Sequence, residues 1–141
     1  MNTLLNKKCE ADKLSPLTLA FIGDTVYDML VREMLIREAN RPAKKLHEAA
    51  VKSVCASAQA KAYEKILPSL SEEEETILRR GRNAHVNHVP KNANIKDYHY
   101  ATAVETLFGY LYLSEKEDRI KELFSIIISE DNDEENQSPK P

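Results

Sequence analysis

Glycine is nearly absent, with three in 141 residues, alongside two cysteines, six prolines and no tryptophan. So little glycine and proline excludes collagen-like and low-complexity chains. Cys9 and Cys55 do not amount to a disulfide framework, which points to a reducing, cytoplasmic compartment. No apolar run approaches the ~20 residues that cross a bilayer. The opening MNTLLNKKCEADK also lacks the apolar stretch of a secretion signal, so a soluble protein is expected. Nor is there an excess of basic charge, since the formal net charge is -3. The acids are unevenly placed, however: Glu130, Asp131, Asp133, Glu134 and Glu135 crowd the last residues, against Lys140 alone. Met1 to Ser129 carry 19 basic and 18 acidic residues, so the overall sign does not exclude a nucleic-acid partner.

What is present fits one domain. With 42% apolar and 30% charged residues, a chain of this length buries about two-thirds of its unfolded surface without staples. The terminal EDNDEENQSPKP has no apolar periodicity and is expected to be disordered, leaving residues 1–129 as the folded domain and 130–141 as an acidic tail.

The punctuation is that of helices. Ser15-Pro16 sets a capping hydroxyl before a proline at the first helical position, and Arg41-Pro42 repeats the proline signal. Ser71 with Glu74, and Ser114 with Glu117, match the reciprocal capping pattern. Asn-Gly and Asp-Gly pairs are missing and no segment alternates cleanly, so hairpins are not expected. The periodicity predicts an all-α domain of about six helices: Pro16 to Ala39, Pro42 to Ser53, Ser57 to Leu67, Glu72 to Arg82, Tyr98 to Leu113 and Glu115 to Ser129. One long connection, Asn83 to Lys96, separates the fourth and fifth helices, and connections of that length are commonly functional.

Two helices carry acids that packing does not explain. In LSPLTLAFIGDTVYDMLVRE the apolar residues run almost round the helix, predicting burial on most sides, yet Gly23 and Asp24 interrupt them. Interior glycine costs ~1 kcal/mol relative to alanine. Asp24 has Ala20, Phe21, Tyr27 and Asp28 as its same-face neighbours, so no base on its own helix neutralises it. In DYHYATAVETLFGYLYL, Glu105 sits among Ala101, Thr102, Phe108 and Gly109, again beside a glycine and without a base. A lysine or arginine from elsewhere in the fold is one way to satisfy either acid. Close approach of the two small-residue faces is another, bringing Asp24 and Glu105 together around a cation. Oxygen-only ligation with few protein ligands suits Mg²⁺, which keeps several waters.

These two stretches also resemble the motifs of the ribonuclease III family. LAFIGDTVYDMLVRE is similar to the family's Phe-Leu-Gly-Asp-Ser-like signature, and AVETLFGYLYL to its second element, whose glutamate precedes a Leu-Ile-Gly-like run. With RRGRNA and YHYATAVETLFGYLYL, the pattern from Leu14 to Ser129 most resembles the short Mini-ribonuclease III branch, which lacks a double-stranded-RNA-binding domain. The resemblance implies that Asp24 and Glu105 are the catalytic, metal-binding acids, with Thr25 replacing the signature serine. Leu17, Ala20 and Thr102 stand where larger family members have acids, so one ion per site is expected. The implied activity is Mg²⁺-dependent hydrolysis of double-stranded RNA by a homodimer, giving 5′-phosphate and 3′-hydroxyl ends. The implied substrate is the precursor of large-subunit (23S) ribosomal RNA.

The segment RRGRNAHVNHVPKNANIK holds five lysines or arginines, two histidines and no acid. Arg79, Arg80, Arg82, Asn83, His85, Lys91 and Lys96 are its RNA-binding candidates, because A-form RNA is contacted mainly at phosphates and 2′-hydroxyls. An ordinary solvated basic loop is the plainer alternative. Arg41, Lys44, Lys45 and Lys52 read equally well as an exposed helix face. His85, His88 and His99 fit no common zinc spacing. Ser53, Cys55 and Ser57 with His47 lack a visible oxyanion loop. A non-catalytic helical RNA-binding module needs neither Asp24 nor Glu105, and a protein-interaction scaffold leaves the acid-free basic segment unexplained.

Overall fold

The computed structural model describes residues 3–85 and 89–129. His88 and the acidic tail lie outside the described residues. The chain forms helices α1 (Pro16–Glu38), α2 (Ala43–Val54), α3 (Ala56–Ile66), α4 (Glu72–Arg82), α5 (Ile95–Leu113) and α6 (Glu117–Ile128). Short 3₁₀ turns occupy Ala11–Lys13 and Leu67–Ser69, and no strand occurs among the described residues. The all-α reading and all six helices are present.

Most boundaries follow local capping. The Ser15 hydroxyl accepts from the Thr18 N–H at 3.3 Å, and Ser71 and Glu74 form the full reciprocal cap of α4. Three expectations change. Pro42 is the residue before α2 rather than its first. Helix α5 begins at Ile95, a turn before the expected Tyr98, because the Asn94 side chain accepts from the Asp97 N–H at 3.1 Å. The connection is therefore shorter, and Lys96 is helical. Ser114 does not cap α6; its N–H closes α5 on the Tyr110 carbonyl at 2.9 Å, and Glu115 turns the chain with φ 59.

Helix α5 is the axis of the core, with α1, α3 and α4 packed around it. From Ala101 to Leu111 every residue is buried except Glu105, which is half-buried. Tyr27 of α1 meets Phe108 and Phe124 edge-on, with ring centroids 5.3 and 5.9 Å apart. Helix α1 is not buried on most sides as its composition predicts. It buries a stripe of Leu19, Ala20, Gly23, Tyr27, Val31 and Leu35. Leu17, Phe21, Met29 and Ile36 are exposed along the opposite face.

An ion pair ties helix α4 to α6. Arg119 donates from Nε and Nη2 to the two Glu74 carboxylate oxygens, each at 2.8 Å, and from Nη2 to the Ser69 carbonyl at 2.7 Å. Burial alone would raise the Glu74 carboxyl, but the Arg119 hydrogen bond, the Ser71 backbone and the arginine's charge hold it below its ordinary value.

Candidate active site

Gly23 and Gly109 mark the crossing of α1 and α5. A Cβ at Gly23 would collide with the backbone carbonyl of Glu105, and one at Gly109 with that of Leu19. Only hydrogen fits at either position, so the two backbones touch. Asp24 follows the first glycine, and Glu105 precedes the second by one turn. The crossing therefore fixes both acids at one point, the arrangement that their small neighbours predict.

There Asp24 is near enough for its charge to act on the Glu105 carboxyl. Asp24 is exposed rather than buried, since it lies at the edge of the α1 stripe. Glu105 is set back into the wall, where Gln59 of α3 donates to its Oε2 at 3.3 Å. Burial first, and the Asp24 charge second, push the Glu105 carboxyl up to about 8. Burial and then Glu105 also raise the Tyr27 phenol. Asp28 pairs with Arg32 at 2.9 Å. Neither Asp24 nor Glu105 has a basic partner among the described residues. Two adjacent acids with a wet side form a hard-oxygen donor set. No group of three or more His, Cys, Asp or Glu that could hold a metal gathers among the described residues. Such a set fits Mg²⁺ with its retained waters and does not fit zinc.

Four of the seven basic-segment candidates converge. Arg82, Asn83, His85 and Lys96 line one open cavity of about 560 Å³, together with His99 and Tyr100. Arg82 donates to the Tyr63 hydroxyl at 3.1 Å. Tyr63 stacks on Tyr100 with centroids 4.0 Å apart, and Lys96 lies over the Tyr100 ring at 5.4 Å. Arg79 is exposed on α4 and Lys91 on the connection, and neither lines the cavity. Arg80 reaches instead to the Leu14 carbonyl at 3.4 Å. Helix α3 links the cavity to the acids, because Gln59 touches Glu105 and Tyr63, one turn further on, touches Arg82.

His99 and Tyr100 line this cavity and Gln59 touches Glu105, placements that the sequence pattern does not indicate. Recognising Asn94 as a helix cap would have placed Lys96, His99 and Tyr100 on one helical face. No local signal distinguishes Gln59. Ser53 Oγ donates to the Ala49 carbonyl at 3.3 Å, an ordinary helix contact rather than a nucleophile's.

A model of the ribonuclease III domain matches residues 17–116. A Mini-ribonuclease 3 of Thermoanaerobacter sp. (strain X514) is 44% identical, over 90% of this chain and 89% of its own. That of Brevibacillus brevis is 47% identical, over 82% of this chain and 90% of its own. The crystal structure of protein FN1578 from Fusobacterium nucleatum superposes with a TM-score of 0.77 at 30% identity, covering 89% of this chain and 99% of that one.

Proposed function

The chain belongs to the ribonuclease III family, with the Mini-ribonuclease 3 proteins, and is an endoribonuclease; from that premise we propose that it hydrolyses double-stranded RNA at Asp24 and Glu105 with Mg²⁺. The products carry 5′-phosphate and 3′-hydroxyl ends, and the physiological substrate is the precursor of 23S ribosomal RNA in the cytoplasm. Among the described residues no helix is long and apolar enough to cross a membrane.

The meeting of two unpaired carboxylates at the α1–α5 crossing carries this reading. A divalent ion bound there supplies Lewis-acid charge for the scissile phosphate and activates water. Asp24 offers its oxygens from the wet edge, and Glu105 offers one from its half-buried place in the wall. Arg82 and Lys96 take neighbouring phosphates, while Asn83 and His85 reach hydroxyls and phosphates along the same seam. Incubating the protein with a long RNA duplex tests the proposal: cutting is expected in Mg²⁺ and none in EDTA. A duplex bound but uncut in Mg²⁺ would overturn it. Below about pH 8 Glu105 holds a proton that the ion must displace, so Mg²⁺ demand should fall as pH rises to that value and then level off.

One site faces one strand, so a double-strand cut requires two sites related by a two-fold axis. Phe21, 83% exposed, stands with Leu17, Met29 and Ile36 on the free face of α1. A second copy of this chain covering that face makes the homodimer, with α1 rather than the core helix α5 supplying the surface, since Ile95 is the exposed large apolar residue of α5. Phe21→Glu should convert a sedimenting dimer into monomers that no longer cut both strands in one encounter. A wild-type protein that cuts both strands as a monomer would refute the paired-site arrangement.

A further inference from the structure

Gln59 is 3% exposed, in a helix otherwise buried through Ala60, Ala62, Tyr63 and Ile66. An apolar residue of similar size would pack there without leaving polar atoms to satisfy. The glutamine amide is committed: Nε2 donates to the Val54 carbonyl at 2.9 Å and to Glu105 Oε2 at 3.3 Å. The Val54 carbonyl can only accept, so the amide cannot be flipped without setting its oxygen against that carbonyl. Its orientation leaves Oε1 buried with no partner among the described residues. A satisfied core residue would not hold that posture; a residue whose amide hydrogens must face Glu105 would.

We infer that Gln59 is a positioning residue for the ion site: anchored on the end of α2 at Val54, its amide fixes the Glu105 carboxylate in the rotamer that faces Asp24. This rests on the reading of Asp24 and Glu105 as the metal acids, and extends the site from two helices to three. Val54 closes α2 and Gln59 opens α3, so the α2–α3 corner itself sets where Glu105 points. Without the amide, Glu105 keeps its place on α5 but loses the contact that selects one side-chain rotamer.

The test measures binding of Mn²⁺ alone, by electron paramagnetic resonance, to the full chain without RNA. Gln59→Leu and Gln59→Met keep the volume and remove the amide. Each is expected to weaken Mn²⁺ binding by about 10- to 100-fold. The Mg²⁺ concentration for half-maximal cutting should rise in parallel, with most of the rate recovered at saturating ion. A purely structural glutamine would instead lower the melting temperature and leave ion affinity unchanged, and that result overturns the inference. Failure of both variants to fold would assign Gln59 to packing and overturn it too. If the wild-type chain itself binds no Mn²⁺, the metal reading of Asp24 and Glu105 fails, a separate outcome from a wild type that binds and variants that bind equally well.

Discussion

Asp24→Asn and Glu105→Gln are each expected to slow duplex cutting by at least ~10²-fold while leaving duplex binding largely intact. Both changes keep shape and remove an ionisable group. Because burial and the neighbouring acid already disfavour ionising both members of the pair in the ion-free protein, either variant should melt no lower than wild type, so lost activity is not lost fold. The complementary change separates the two functions. Alanine at both Arg82 and Lys96 should weaken binding on all duplexes alike and reduce the slope of log affinity against log salt by up to ~2, one unit per phosphate contact. Cutting at saturating RNA should then approach the wild-type rate. Near wild-type turnover in Asp24→Asn or Glu105→Gln, measured on a labelled duplex, would remove the acids from the chemistry.

Gly23→Ala is the second large effect. Alanine is the better helix former by ~1 kcal/mol, so propensity alone predicts a gain. The added methyl, however, falls on the Glu105 backbone carbonyl, which has no rotamer to yield. The helices must separate along their length, opening the contacts of Leu19, Leu107 and Phe108. A loss of more than ~4 kcal/mol is expected, a large share of the ~5–15 kcal/mol that keeps a domain folded. Gly109→Ala should behave alike, its methyl meeting the Leu19 carbonyl. Urea denaturation followed by circular dichroism checks both; an unchanged midpoint would mean that the crossing is looser than described.

What was legible in the sequence was local. Ser15, Ser71 and the apolar periodicities place α1 and α4 almost to the residue, because a cap acts within one turn. Asn94 does not announce a helix since asparagine suits both turns and caps, and Ser114 misleads because its backbone N–H ends one helix before the next begins. The uncompensated acids beside interior glycines were readable as a pair, since helices that approach closely bring such residues together. The exposure of Asp24 was not, because apolar residues on the free side of α1 look like core when no partner is considered. Gln59 and Tyr63 reach the site from α3 through contacts across 46 and 19 positions, respectively, and no window along the chain contains both ends.

The contact of α1 and α5 backbones at two glycines has a consequence for how the protein opens. Many enzymes carry their reactive groups on loops that fluctuate while the scaffold stays folded. Here the acids ride on the helices that form the centre of the molecule, and Glu105 interrupts its most buried run. Fraying of an end or of the connection after α4 leaves Asp24 and Glu105 together. Only a cooperative opening of the whole bundle separates them. Catalytic competence and global stability are then the same equilibrium seen by two probes, and substitutions that loosen the core lose cutting in proportion to the fraction unfolded.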